Sequence, residues 1–298
     1  MDKLQAMKVF CRVYEAESFK LASDSLGISR PMVTRYINAI EEELGTKLLQ
    51  RNTRNISITH AGRKYYQHCI AILDAIEEAE SEIGELTQKP KGLLKISVPM
   101  DFGLSHIVPL LDNFSRLYPQ IELDVDFSDK RVDMTESGVD IAIRGGDLGG
   151  DQFVARPLCY SRGFVCASPN YILQYGELDR IEDLEGHSCL LYSNALVPNR
   201  WSLTDEGGIS RTVSIAGGVT TNNGGALTRF ALAGLGVIYQ PDFLVAKYIA
   251  SGELINLLPK YKGYEICFYA IYPQQKLMSR KTRLLLDFLQ EELANTKF

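Results

Sequence analysis

Residues 18–43 read SFKLASDSLGISRPMVTRYINAIEEE. Two short amphipathic helices joined by a tight turn account for this pattern. Ser18 suits an N-cap, and Phe19, Ala22 and Leu26 then face inward. Gly27 falls where helices commonly end in the left-handed conformation, and Ile28 re-enters the core. Ser29 caps the second helix, with Pro31 in its first turn, where a missing N–H costs nothing. Val33, Ile37, Ile40 and Leu44 repeat at the spacing of a buried face. The opposite face offers Arg30, Thr34, Arg35 and Asn38, the long cations and short polar groups that base edges and phosphates require. The stretch reads as a helix-turn-helix whose recognition helix is Ser29–Leu44. The plainer alternative, a helical hairpin with a solvated face, is weighed against the segments on either side.

On the N-terminal side, Leu4–Ala16 forms an amphipathic helix whose Met7, Phe10, Val13 and Tyr14 close a small core. On the C-terminal side, Leu48-Leu49 and Ile56–Ile58 are short strands around Arg51, Asn52, Thr53, Arg54 and Asn55. That is a wing tipped with cations and short polar groups, suited to backbone or minor groove. A long helix runs from Thr59 or His60 to about Thr87. Its Tyr65, Cys69, Ile72, Ile76, Ala79, Ile83 and Leu86 keep a heptad seam that predicts pairing with a second chain, with packing onto its own chain as the alternative. Gln88–Gly92 is a Pro- and Gly-containing linker.

Charge follows the same division. Residues 1–68 hold eleven Lys/Arg against seven Asp/Glu, a net +4 that leaves −9 for the rest of a chain whose total is −5. A basic module on an acidic body is the asymmetry expected of a nucleic-acid binder. The six cysteines form no CxxC pair and no metal-ligand spacing with His, which points to a reducing compartment and buried thiols. No signal segment and no membrane-spanning run is seen, so the expected location is cytoplasmic. No cofactor and no metal site are expected.

From Leu93 the period switches. Leu94, Ile96 and Val98 alternate as a strand, Leu104–Leu117 is a helix, and Ile121–Phe127 alternates again. Val139–Ile143, Gly163–Ala167, Cys189–Tyr192, Leu235–Tyr239 and Tyr264–Tyr272 read as further strands. Gly225–Ala233 and Arg280–Leu293 read as helices. The alternation predicts an α/β body with a mainly parallel sheet, as one large domain or two small ones. The Gly-Gly pairs, that at 224–225 among them, read as turns.

Over essentially its full length the chain resembles the LysR-type transcriptional regulators. The order of Phe19, Ala22, Leu26, Ile28-Ser29, Pro31, Val33-Thr34-Arg35, Ile37, Leu44-Gly45, Leu48-Leu49, Arg51, Thr59 and Ala61-Gly62 matches that family's DNA-binding module. Ser97-Val98-Pro99, Tyr118-Pro119, Ser128-Asp129, Asp140–Arg144, Ala167-Ser168-Pro169, Gly234–Val237 and Leu257–Pro259 are similar in the body. The resemblance implies a winged helix-turn-helix (1–59), a dimerising linker helix (60–87), a hinge (88–92) and an effector-binding domain (93–298). That domain would be two-lobed and periplasmic-binding-protein-like, with lobe one about 93–161 plus 267–298 and lobe two about 162–266. Two strands would cross near Ser161–Arg162 and Ile266–Phe268. A small molecule would bind between the lobes, and body contacts would build a tetramer, a dimer of dimers. Arg30, Met32 and Thr34 depart from the residues common in the family, so its operator sequence does not carry over.

The expected DNA contacts are Ser29, Arg30, Pro31, Met32, Thr34, Arg35 and Asn38 on the helix and Arg51, Asn52, Thr53 and Arg54 on the wing. Two such modules on a two-fold axis predict an interrupted palindrome in double-stranded DNA, with RNA polymerase as a further partner. The expected effector contacts are Ser97, Met100, Asp101 and Phe102 after the first strand, then Ser128, Arg144, Ser193, Thr220 and Asn222. For the serines and threonines a turn or cap bond is the competing role. Asp101 either caps a helix or disfavours an anionic effector. No catalytic residue is expected: the four His are dispersed, and there is no GxSxG, HExxH or GxxxxGKS run. Two alternatives stay open. One is a two-lobed solute-binding protein or enzyme. The other is a redox-sensing regulator using Cys159, Cys166, Cys189 or Cys267.

Overall fold

The computed structural model describes residues 2–51, 56–83, 90–130, 134, 138–149, 153–274, 278–294, 296 and 298. The chain divides into two compact units, Met1–Pro90 with Gln275–Arg283, and Lys91–Gln274 with Leu284–Phe298.

The first unit opens with α1 (Lys3–Ala16), α2 (Phe19–Leu26) and α3 (Arg30–Leu44). Each start is fixed by local chemistry. Asp2, Ser18 and Ser29 accept from the backbone N–H of Gln5, Leu21 and Met32, three residues on. Gly27 closes α2 at φ 63°, where a side chain would be strained. The strands β1 (Leu49–Arg51) and β2 (Ile56–Ile58) pair antiparallel as the wing. The described part of the long helix α4 is His60–Ile83. The wing-tip residues Asn52, Thr53 and Arg54, and residues 84–87 with Leu86, lie outside the described residues, as does the side chain of Arg51.

One core joins these elements. Phe10, Val13, Ala22, Val33, Ile37, Ile40, Leu48 and Cys69 are buried together, and each large side chain is worth about 1.5–3 kcal/mol relative to exposure. Tyr14 stacks on Tyr66 with centroids 3.9 Å apart. Two expectations change. Leu44, read as the end of the buried stripe of α3, is exposed. Tyr65 and Cys69, read as the start of an intermolecular seam, are taken up by their own chain's core.

The second unit holds β3 (Gly92–Val98), β4 (Ile121–Phe127), β5 (Ile141–Gly145) and the long β6 (Phe153–Ala167). Later come β7 (Leu191–Tyr192), the hairpin β8 (Arg200–Thr204) and β9 (Ser210–Ser214), and β10 (Thr220–Thr221). The last strands are β11 (Ile238–Pro241), β12 (Ile255–Asn256) and β13 (Glu265–Pro273). The helix α5 starts at Met100–Phe102, passes a π turn at Gly103–Ile107 and continues as Val108–Leu117. The others are α6 (Pro169–Tyr175), α7 (Gly224–Leu232), α8 (Asp242–Ser251) and, from Leu284 on, α9 (Arg280–Leu293).

The main sheet has the order β11-β6-β13-β5-β3-β4, with β12 also on β6. The expectation of a mainly parallel sheet fails. Only β3–β4 and β3–β5 are parallel among its described pairs, while β13 runs antiparallel to both β5 and β6, and β6 to β11 and β12. The reason is that β6 leaves the first lobe and β13 returns to it, so these two strands run against one another and knit the lobes. Ser161 pairs with Ile266 and Arg162 with Glu265 along that crossing. Element ends also shift. The body's first helix begins at Met100 rather than Leu104, Val139–Ile143 becomes Ile141–Gly145, and Leu235–Tyr239 becomes Ile238–Pro241. The helices α6 and α8 and the β8–β9 hairpin have no counterpart in the sequence reading. In lobe two, Trp201 packs inside, its ring 5.5 Å from that of Tyr239.

Candidate nucleic-acid interface and effector cleft

On α3 the two faces separate cleanly. Val33, Ile37 and Ile40 are buried, and Ser29, Arg30, Pro31, Met32, Arg35 and Asn38 are exposed, with Thr34 half-exposed between them. The exposed sector therefore carries two cations, an amide, a hydroxyl at the helix start and two apolar side chains, the set that reads base edges and phosphates.

The pitch of this helix against the wing is set by Glu41, which is buried. Its Oε1 accepts from the backbone N–H of Leu48 at 3.0 Å and of Leu49 at 3.1 Å. Its Oε2 accepts from Lys47 Nζ at 2.7 Å. One side chain thus ties the recognition helix to the first wing strand and satisfies two N–H groups that the wing would otherwise bury unpaired. Thr59 makes the matching joint at α4. Its hydroxyl donates to the Lys47 carbonyl at 2.8 Å and accepts from Gly62 N–H at 2.9 Å. Sequence reading misses Glu41, although its place four residues after Ile37 puts it on the buried stripe.

In the body, the expected effector residues fall into three groups. Met100 and Asp101 lie in the first turn of α5. The Asp101 carboxylate reaches to the start of α7, accepting from Asn223 Nδ2 at 3.3 and 3.2 Å and from Gly225 N–H at 2.9 Å. Asn223 is itself the N-cap of α7, accepting from Ala226 N–H at 2.7 Å. The Gly-Gly pair at 224–225, read as a turn, is instead the first turn of that helix. Glycine leaves room for this approach: a Cβ at Gly225 would stand 2.7 Å from Asp101 Oδ1, and one at Gly224 2.7 Å from Leu244 Cδ1 and 2.9 Å from Gln240 Oε1, so those side-chain ends would have to move.

Ser97 and Arg144 form the second group. Ser97 is fully buried, and its hydroxyl accepts from Arg144 Nη2 at 2.7 Å and lies 3.4 Å from Asp126 Oδ2. It is satisfied internally and orients the guanidinium. Burial lowers the pKa of Arg144, with Asp129 and Asp126 opposing the shift. Desolvation raises that of Asp129, which accepts from Met100 N–H and feels the charge of Asp101. Burial likewise raises Tyr192, to which Asp129 and Asp101 add. Tyr192, Asp129 and Asn223 thus stand beside the expected effector residues, although the sequence reading does not offer them as effector contacts.

The third group is Ser193, Thr220 and Asn222, exposed around the β7–β10 pair that leads into α7. Two candidates leave the site. Phe102 is buried and stacks on Phe268 with centroids 3.8 Å apart, in an aromatic cluster with Phe243 and Phe298. Ser128 accepts from Lys130 N–H at 3.2 Å, a turn bond.

The thiols give no support to redox sensing. Cys159, Cys166, Cys189 and Cys267 are buried, and burial pushes each of the first three up to about 12, far from the thiolate range. No helix among the described residues is long and apolar enough to cross a membrane.

A winged helix-turn-helix with an exposed cationic reading face, carried on one chain with a two-lobed α/β body, defines a DNA-binding transcriptional regulator with an effector-binding domain. Residues 4–63 match the bacterial regulatory helix-turn-helix proteins of the lysR family, and residues 87–294 match the LysR substrate binding domain. The chain belongs to the LysR family. It is 39% identical to an uncharacterized HTH-type transcriptional regulator of Haemophilus influenzae, over 97% of this chain and 100% of that one. It is 35% identical to the HTH-type transcriptional regulator CrgA of Neisseria meningitidis, over 98% of this chain and 97% of that one. The solved structure of CrgA superposes with a TM-score of 0.64 at 34% identity, covering 98% of this chain and 99% of that one. These relatives are regulators and not enzymes, which answers the enzymatic alternative.

Proposed function

We propose that this regulator grips an interrupted palindrome as a dimer, and that a small molecule in the cleft of its body alters the grip. The observation that carries the reading is the division of α3, with Arg30, Pro31, Met32, Arg35 and Asn38 outward over a buried face of Val33, Ile37, Ile40 and Glu41. The wing residues Arg51, Asn52, Thr53 and Arg54 would hold backbone or minor groove beside it. Titrating the full-length protein against DNA upstream of its own gene at several salt concentrations tests this. A steep fall of affinity with salt is expected, and a flat response would overturn the reading. A metabolite library screened by thermal shift, with hits retested on the DNA complex, tests the second half. A ligand at about 100 times its Kd adds roughly 2.7 kcal/mol.

The dimer is proposed through α4. Tyr65, Cys69, Ile70 and Leu73 are spent on the module's own core, which leaves Ile72, 41% exposed, with Ile76 and Ala79 on the outer stripe. An apolar stripe on a helix of this length is what a second copy covers. Ile72→Asp is expected to convert the dimer to monomer in sedimentation equilibrium. Operator affinity should fall with it, because both half-sites no longer bind as one ligand. A variant that stays dimeric would move the seam elsewhere.

Exposed apolar residues on the body, Leu104 and Val108 on α5 and Phe230 on α7, support a second interface that would build a tetramer. Ser97, Met100, Asp101, Arg144, Ser193, Thr220 and Asn222 are proposed to line or shape the effector cleft. The ligand shifts the DNA complex only by its differential affinity for two arrangements of the lobes. Changed DNA bending and polymerase binding would follow.

A further inference from the structure

We infer that Asp101 is a built-in latch, a carboxylate of lobe one that occupies the start of α7 in lobe two and holds the lobes closed on each other. This goes beyond the proposed function and does not depend on the effector's identity.

The chemistry is that of an anion at a helix N-terminus. The first N–H groups of a helix lack intrahelical partners and carry partial positive charge. Asn223 caps α7 locally, through Ala226 N–H. Asp101 accepts from Gly225 N–H and, through both oxygens, from the Asn223 amide, 124 and 122 residues away in sequence. A distant side chain is not needed to start the helix, since Asn223 already does so. What the distant carboxylate adds is a bond between lobes. The glycines at 224 and 225 keep the approach open, as any Cβ at Gly225 would meet that carboxylate.

The rest of the lobe junction has the form of a pivot. Phe243, at the start of α8, lies edge-on to Phe102 and Phe268. Asp242 accepts from the hydroxyl of Ser161, which sits on the crossing strand β6 itself. These groups cluster at the crossing strands, where a hinge motion displaces atoms least. Phe102 follows Asp101 on α5 and is held at the pivot by Phe268, but the bonds of Asp101 itself run to α7 of the other lobe, so rotation of α7 about the pivot parts them. Asp129 and Tyr192 lie close enough to sense the same charge. Asp129 accepts from Met100 N–H, next to Asp101 on α5, so parting the latch takes the α7 donors away and leaves the two carboxylates beside each other. An effector that opens the cleft works against the latch, and one that favours the closed form works with it.

The test is the distance between lobes in the full-length protein. Spin labels go at Glu122→Cys on β4 and Leu173→Cys on α6, both exposed, with labelled chains diluted in unlabelled ones. Double electron–electron resonance then compares the parent with Asp101→Ala, Asp101→Asn and Asn223→Ala. The expected result is a longer or broader distribution in Asp101→Ala and Asn223→Ala, intermediate in Asp101→Asn, which keeps an acceptor but loses the charge. Sodium formate, a free carboxylate of the same kind, should narrow it again in Asp101→Ala. Asp101→Asn is the variant that guards against misfolding. An unchanged distribution in all three variants overturns the latch. A broadening that formate leaves untouched assigns the effect to lost packing, and overturns it equally.

Discussion

Glu41→Ala is expected to lower the unfolding transition of the N-terminal unit by about 12–24 °C, while Glu41→Gln costs little. The asymmetry comes from which oxygen does what. Both wing N–H groups, of Leu48 and Leu49, donate to the same atom, Oε1. Glutamine keeps an oxygen there and puts its amide NH2, a donor, where Oε2 accepted from Lys47, so Lys47, whose side chain is 73% exposed, turns to solvent and the ion pair is lost. The carboxylate side chain is only 4% exposed, so removing its charge also removes a desolvation penalty, which offsets the lost pair. Alanine removes the acceptor and leaves two buried donors without partners, at about 1–3 kcal/mol each. Taking about 3 kcal/mol in total, and about 4–8 °C per kcal/mol for a unit of this size, gives the range stated. Calorimetry of the full-length protein, following the transition that Glu41→Ala shifts, measures it. Equal effects of Ala and Gln would show that the charge, not the acceptor, holds the wing. Because Glu41 fixes α3 against β1, operator binding should fall with stability in Glu41→Ala and survive in Glu41→Gln.

Glu41 also marks where sequence reading stops. It stands first in a run of three glutamates, the usual look of a solvated face, and only its phase relative to Ile37 marks it as inward. The caps at Ser18, Gly27 and Ser29 are legible because each is settled within three residues of chain. The stripe Val33, Ile37, Ile40 is legible for the same local reason. Leu44 is not, since a helix end can pass beyond the core that its periodicity points to. The body is harder to read because its deciding interactions are distant. Strand β6 carries Arg156, Pro157, Tyr160 and Arg162, which look unlike a central strand. Pro157 is accommodated at an irregularity of the β6–β13 ladder, between Phe268 and Tyr269, as proline within sheets usually is. The parallel pattern of β3, β4 and β5 does not extend to the rest of the sheet, because nothing local announces a strand that returns from the far lobe. Met100, Asp101 and Arg144 do stand at the strand ends where sequence places them. What Asp101 meets, the N-cap Asn223 and two glycines that look like a turn, depends on an approach across more than a hundred residues.

The largest effect on function should come from the outward face of α3. Arg35 lies in the middle of the exposed sector and Arg30 at its N-terminal edge, one residue after the cap. The middle of the exposed sector faces the floor of the groove, where bases are read, and its edges lie nearer the phosphates that position the helix. A bidentate arginine–guanine pair is worth about 1–3 kcal/mol, and the proposed dimer loses it twice. Arg35→Ala should therefore weaken operator binding by about 2–6 kcal/mol, roughly thirtyfold or more, with little change in binding to unrelated DNA. Arg30→Ala should weaken operator and unrelated DNA together and lower the salt slope by about one for each phosphate that is no longer neutralised. Measuring both variants on operator and scrambled DNA at several salt concentrations separates the roles. If the two residues exchange behaviours, Arg30 reads the base and Arg35 grips the backbone, which turns the helix in the groove. If neither variant loses affinity, the reading face lies elsewhere, and the proposed function loses the observation that carries it. Neither side chain contributes to the buried core, so stability should be unchanged in both, and the loss is then a loss of recognition alone.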